Sequence, residues 1–100
     1  MRLAHVTFTV DPDDVPAALG MLLNETAAVT LMKGCCAFIP FADPTISGGV
    51  GVLHEWESGK DFGAYLASPS FALVNATLRP MMTTVPVSRR FAANPVNNAD

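Results

Sequence analysis

Three side chains capable of polar chemistry lie close together in the segment LHEWESGKDFGAYLASPSF, residues 53–71. His54 can act as a general base, because an unperturbed histidine titrates near pH ~6.5. Trp56 can offer an indole N–H, and Tyr65 can offer a hydroxyl group to a developing phenolate or oxyanion. We therefore take His54, Trp56 and Tyr65 as the candidate catalytic residues.

Each of these residues also has a purely structural explanation. Trp56 can be a core aromatic residue packed against helices, or it can form one wall of a pocket. Tyr65 can be a partly exposed helical tyrosine whose hydroxyl reaches water. His54 can be a histidine at an edge, with its hydrogen bonds satisfied. The sequence alone leaves these alternatives open.

Hydrophobic periodicity predicts the elements that position these residues. Ala4, Val6, Phe8 and Val10 alternate along a first strand, and DPDD then precedes an amphipathic helix. Ser58 and Ser68 are predicted to cap two further helices. The predicted ranges are strands over 3–10, 35–41, 50–57 and 83–91, and helices over 14–31, from Ser58 to about 66, and from Ser68 to Pro80.

The third predicted strand orients the candidate site. His54 and Trp56 share one face, with roughly 6.5–7 Å between their Cα atoms. Glu55 turns to the opposite face, where we expect an intersubunit hydrogen bond or ion pair. Apolar side chains complete the predicted pocket as substrate-binding residues: Val6, Phe8, Val52, Phe62 and Phe71.

The element order βαββαβ predicts an α+β, ferredoxin-like domain over residues 1–91, followed by a tail over residues 92–100 that is flexible or lies on a partner. Two helices would cover one face of a four-stranded antiparallel sheet. The other face would carry Leu3, Leu53 and one side of the 35–41 strand, which would form an apolar patch. We therefore predict a homodimer through the sheet face.

Composition excludes several classes of partner. The chain has 100 residues, half of them hydrophobic, and a net charge of −3, which argues against nucleic acid and anionic membranes. No stretch is long enough to span a membrane, and the start of the chain does not resemble a signal peptide. Adjacent Cys35 and Cys36 lack the spacing of a zinc site and are predicted to be reduced thiols, as in a cytoplasmic protein.

The motifs G-C-x-x-F, L-x-E-W-E-S-x-x-x-F-x-x-Y-L-A-S-P-S-F and L-R-P-M-M, within residues 34–82, resemble the antibiotic biosynthesis monooxygenase family. That family belongs to the dimeric α+β barrel group, which has the same ferredoxin-like fold. The resemblance implies oxidation of a phenolic or quinol-like substrate by O₂, with neither a metal nor a flavin as cofactor. It also implies a site between the helices and the sheet, with Trp56 in its wall.

Three positions depart from relatives in this group. Haem-degrading relatives pair the tryptophan with an Asn on the first strand and a His on the helix, where this chain has Val6 and Tyr65. Phenol-oxidising relatives carry a tyrosine where this chain has Phe62. A haem-dependent activity is therefore disfavoured, and the pocket is drier than in the phenol-oxidising relatives.

Two functions from different classes follow. The leading one is a cofactor-independent monooxygenase that oxidises a small aromatic, phenolic or quinol-like compound with O₂. The alternative is a non-catalytic dimeric module that binds a hydrophobic small molecule. RNA binding, which other βαββαβ domains perform, is excluded because stacking aromatic residues and a basic motif are missing.

Overall fold

The alternating apolar residues form a four-stranded sheet in this computed structural model, which describes residues 1–96. The elements are β1 (Arg2–Thr9), α1 (Val15–Thr30), β2 (Cys35–Ala42), β3 (Gly49–Trp56), α2 (Gly59–Leu66), α3 (Pro69–Leu78) and β4 (Val87–Ala92), with 3-10 turns at Pro12–Asp14 and Arg79–Met81. The strand order is β2-β3-β1-β4, and every neighbouring pair is antiparallel. This confirms the predicted α+β ferredoxin-like βαββαβ fold.

The predicted helix caps hold the helices against the sheet. The Ser58 side chain accepts a hydrogen bond from the Asp61 backbone N–H at 3.1 Å, at the start of α2. The Ser68 side chain accepts one from the Phe71 backbone N–H at 3.2 Å, at the start of α3. Each cap satisfies a backbone donor that the first turn would otherwise leave unpaired. Both caps fix where the aromatic residues of α2 and α3 meet the sheet.

The last strand begins later than predicted, at Val87 rather than residue 83. Pro86 directly precedes it, and a proline has no N–H to donate to a strand ladder. Before that proline, the chain touches the end of β1 only locally, where the Thr83 N–H donates to the Thr9 carbonyl at 2.8 Å.

The end of the chain stays paired just past β4. The Ala93 N–H donates to the Met1 carbonyl at 2.9 Å, and the N-terminal amine donates to the Ala93 carbonyl at 2.8 Å. Residues 97–100 of the predicted tail lie outside the described residues. No helix within the described residues has the length and apolar character that crossing a bilayer requires.

Register places one row of side chains across the helix-covered face of the sheet. Phe38 pairs with His54, His54 pairs with Ala4, and Ala4 pairs with Arg90. Paired residues of antiparallel strands point to the same face, so all four side chains point to the helix-covered face, where Arg90 remains exposed at the edge strand. The hydrophobic core forms around this row, and Trp56 is among its fully buried side chains.

Within residues 1–96, no helix covers the opposite face of the sheet, and this face is largely apolar. Leu53 pairs with Ile39 on one side and with His5 on the other, and His5 stacks on Phe41 with 5.8 Å between ring centroids. Glu55 also points to this face, as the alternation along β3 predicted. Neither His5 nor Glu55 therefore reaches the helix-covered side.

Candidate functional site

A cavity of about 260 Å³ lies between the sheet and the helices α2 and α3. It is lined mainly by apolar and aromatic side chains. All five side chains predicted to bind substrate contribute to its wall: Val6, Phe8, Val52, Phe62 and Phe71. Such a mainly apolar cavity with a few polar groups is the usual form of a small-molecule site.

His54 lines this cavity, and one of its two ring nitrogens already takes part in a hydrogen bond within the protein. The indole Nε1–H of Trp56 donates a hydrogen bond to His54 Nδ1 at 2.8 Å. An indole N–H only donates, so Nδ1 must carry the lone pair of the imidazole. A neutral His54 therefore carries its proton on Nε2. Nε2 makes no hydrogen bond to any residue within 1–96, so its N–H is available to a molecule in the cavity.

Electrostatics keep this imidazole neutral. Burial, and secondarily the positive charge of Arg90, lower the pKa of His54 to about 4. Only 3% of the residue is exposed. With its lone pair used by Trp56 and its pKa depressed, His54 is poorly suited to accept a proton from a substrate. In this arrangement His54 offers the cavity a hydrogen-bond donor, and its predicted role as a catalytic residue stays a prediction.

Trp56 is fully buried and does not line the cavity. Its indole packs behind Tyr65, with ring centroids 5.2 Å apart and the planes nearly parallel. The prediction that Trp56 forms a wall of the pocket is therefore wrong, and the core-packing alternative describes its place. Its effect on the site is indirect, because its N–H selects the tautomer of His54 and orients the ring.

Tyr65 lines the cavity, and its predicted role as a hydroxyl donor stays a prediction. Burial, followed by the negative charges of Glu25 and Cys35, raises the pKa of Tyr65 to about 12. Neither Glu25 nor Cys35 is among the residues that line the cavity. The hydroxyl therefore stays protonated at neutral pH.

Four polar residues of the cavity were not predicted from the sequence: Asn75, Arg79, Ser88 and Arg90. Neither arginine was assigned a place in the site from the sequence. Ser88 pairs with Val6, and Arg90 pairs with Ala4, so both face the helices. The alternation along β4 could have shown that Ser88 and Arg90 share a face, but only the pairing with β1 identifies which face it is.

The described residues do not offer a protein metal site, since no three His, Cys, Asp or Glu side chains come together within 1–96. Both cysteines are free thiols, and burial raises the pKa of Cys35. His54 also suits haem iron poorly. An axial ligand needs the Nε2 lone pair, and here Nε2 carries the proton because Trp56 occupies Nδ1.

Solved structures with the same fold include proteins from several bacteria. A proposed antibiotic biosynthesis monooxygenase from Deinococcus radiodurans matches with a TM-score of 0.89 and 17% identity, over 100% of this chain and 99% of that one. One from Caulobacter crescentus matches with a TM-score of 0.82 and 21% identity, over 94% and 90%. Rv0793 from Mycobacterium tuberculosis matches with a TM-score of 0.83 and 15% identity, over 98% and 100%. At these identities the matches show the fold alone.

Comparison at the level of sequence is more specific about the family. No curated protein matches this chain significantly. The family model described as antibiotic biosynthesis monooxygenase matches residues 1–77, which include β1 through most of α3 and therefore His54, Trp56 and Tyr65. The chain thus belongs to the antibiotic biosynthesis monooxygenase family.

Proposed function

We propose that this protein is a monooxygenase that oxidises a small aromatic, phenolic or quinol-like compound with O₂. Family membership supports the general reaction class. The observation that carries the proposal for this chain is the His54 Nε2–H, which faces an apolar cavity while Trp56 holds the other ring nitrogen. A fixed donor in an apolar site stabilises negative charge on a substrate oxygen far better than the same donor in water.

The first chemical step in this proposal is deprotonation of the substrate to a phenolate or enolate. The substrate oxygen accepts a hydrogen bond from His54 Nε2, and this lowers the free energy of the anion. None of the described lining residues is an Asp or Glu, so the proton passes to water at the cavity mouth. The exposed residues Arg79, Ser88 and Arg90 mark that mouth.

The electron-rich anion then reduces O₂, and a carbon–oxygen bond forms. For a substrate with a reactive methylene group, such as an anthrone, two C–H hydrogens are lost. One atom of O₂ becomes the carbonyl oxygen of the product, and the other leaves as water with those two hydrogens. In this scheme the chain binds the ring, orients the oxygen against His54 and limits access of water to the anion.

Oxygen consumption tests this function directly. Wild type, His54→Gln and His54→Phe would be compared on a panel of hydroquinones and an anthrone. We expect turnover by wild type and a loss of about 10²-fold or more in kcat for His54→Phe, the range seen when one oxyanion donor is removed. His54→Gln should keep part of the activity, since its amide can still donate. Equal rates in all three proteins would contradict the proposed role of His54.

A non-catalytic binding module is the second candidate function. The apolar lining and the lack of a general base among the described lining residues favour it. It predicts tight binding of aromatic ligands with no oxygen uptake on any member of the panel. The same experiment therefore separates the two candidates.

We also propose that the protein is a homodimer through the open face of the sheet. Three large apolar side chains of this face are well exposed in the single chain: Ile39 is 52%, Val87 55% and Phe91 40% exposed. Polar groups on the same face, including Glu55 and Arg89, can pair across a two-fold axis. A second copy would remove this apolar patch from water.

A further inference from the structure

The mouth of the cavity carries positive charge that no lining carboxylate balances. Asn75, Arg79, Ser88 and Arg90 supply its polar side chains, and none of the described lining residues is acidic. In a protein with a net charge of −3, two arginines on one apolar cavity are a local excess. Such an arrangement favours an anionic ligand.

Arg90 is well placed to serve the cavity. It shares a cross-strand row with Ala4 and His54, and both Arg90 and His54 line the cavity. The Arg90 guanidinium carbon lies 5.1 Å from the centroid of the Phe62 ring. The His54 ring is 5.4 Å from that same Phe62 ring, on centroids. Arg90, Phe62 and His54 thus form one continuous part of the wall.

The hydrogen bonds of Arg90 leave most of its guanidinium free. Its Nε donates to the Ser88 hydroxyl at 3.0 Å. Its two terminal nitrogens have no hydrogen-bond acceptor within residues 1–96. A guanidinium held at Nε and open at its end presents the planar donor edge that pairs with a carboxylate.

Arg79 is a supporting cation with a structural role of its own. It follows the last residue of α3, where the helix dipole stabilises a positive charge, and its Nε donates to Asn75 Oδ1 at 3.4 Å. Arg90 lies on β4, away from any helix end, and beyond the residues 1–77 matched by the family model. Its free donor edge makes Arg90 the stronger candidate to bind an anionic ligand.

We propose that the cavity binds a one- or two-ring aromatic compound that carries a carboxylate, with the carboxylate on Arg90 and the ring beside Phe62. This proposal names the class of substrate that the site binds. It depends on the proposed function only for the reaction that follows binding. The cavity volume of about 260 Å³ lies just below the range of about 300–1,000 Å³ of drug-sized sites, so the ligand is small.

The experiment uses a matched pair of probes, 2-naphthoate and 2-naphthamide, which differ in charge but hardly in shape. Isothermal titration calorimetry at neutral pH would give the dissociation constant of each. Wild type should bind the carboxylate about tenfold more tightly than the amide, equivalent to about 1.4 kcal/mol. Arg90→Gln should lose this preference while binding the amide as before.

Arg89→Gln is the matched control. It removes the same charge from the adjacent residue of the same strand, but Arg89 pairs with His5 and so points to the opposite face of the sheet. It should retain the preference for naphthoate. Both arginines are exposed, so neither variant is expected to impair folding.

Two results would overturn the inference. In the first, wild type binds the two probes equally. In the second, Arg89→Gln loses the preference for naphthoate as fully as Arg90→Gln does, so that the preference would come from the overall charge of the protein. Binding is measured without O₂ chemistry. A protein that selects naphthoate through Arg90 but consumes no oxygen would refute the proposed function and leave this inference standing.

Discussion

Acid should destabilise the fold through His54. Burial and the charge of Arg90 hold the pKa of His54 at about 4 in the folded protein, whereas an unfolded histidine titrates near ~6.5. Between these two values the unfolded chain binds a proton that the folded chain does not. The stability that a neutral His54 provides is therefore complete above the unfolded pKa and is lost as the pH falls toward the folded pKa.

The size of the effect follows from the two pKa values. Lowering the pH from about 7.5 to about 5 should cost about 2 kcal/mol of unfolding free energy through His54 alone, rising to about 3 kcal/mol near pH 4. For a small domain this is a large fraction of the total stability.

Urea denaturation at a series of pH values measures this contribution. His54→Gln is the matched variant, because glutamine can still accept the Trp56 N–H but does not titrate. His5 remains in both proteins, so its titration cancels in the comparison. The difference in unfolding free energy between wild type and His54→Gln should change by about 2 kcal/mol from about pH 7.5 to about pH 5. Parallel pH profiles would refute a buried, neutral His54.

Three further pairs of variants test separate parts of the structure. Trp56→Phe removes the indole N–H that His54 accepts and should lower the free energy of unfolding, measured by urea denaturation, by roughly 2 kcal/mol. Tyr65→Phe removes a hydroxyl with no hydrogen bond within residues 1–96 and should lower it by under ~1 kcal/mol. Equal losses in the two variants would contradict the importance of the indole hydrogen bond. Gly34→Ala should destabilise by more than ~1 kcal/mol, because Gly34 has φ 81° and an added Cβ would meet the Asp61 carboxylate. Its control, Gly20→Ala, has nothing within 4 Å of the added carbon and should stabilise α1 by up to ~1 kcal/mol. A Gly34→Ala variant as stable as wild type would contradict the expected strain at Gly34. Ile39→Lys should shift the molar mass measured by analytical ultracentrifugation toward that of the 10.6 kDa protomer. Its control, Leu73→Lys, changes a residue on the exposed side of α3 and should remain dimeric. A monomeric wild type would exclude the sheet-face dimer.

The fold could be predicted because its signals are local and consistent. Ala4, Phe8 and Val10 alternate, and they are buried as that pattern indicates. Ser58 and Ser68 cap helices where their spacing predicts. The start of β4 could not be placed in the same way. The run TTVPVSRRF reads as one strand, but where pairing with β1 begins depends on Pro86 and on contacts distant in the sequence.

The candidate site was predicted in part: His54, Tyr65 and the five predicted substrate-binding side chains line the cavity, whereas Trp56 does not. Spacing places His54 and Trp56 on one face of β3, yet it does not reveal that the indole donates to the imidazole. That single hydrogen bond decides which nitrogen carries the proton, and so turns a predicted base into a donor. The position of Arg90 in the cavity wall was missed because a charged residue on an edge strand gives no periodic signal, and its face is set by the register with β1.

The central claim is that the His54 N–H stabilises an oxyanion in the cavity, and the pKa of a bound phenol tests it most directly. 4-Nitrophenol is a suitable probe, because its anion absorbs in the visible range and its single ring suits a cavity of about 260 Å³. The account predicts that binding to wild type lowers the pKa of the phenol by about one unit or more, and that His54→Phe abolishes this shift. A phenol whose pKa is unchanged or raised on binding to wild type would contradict it.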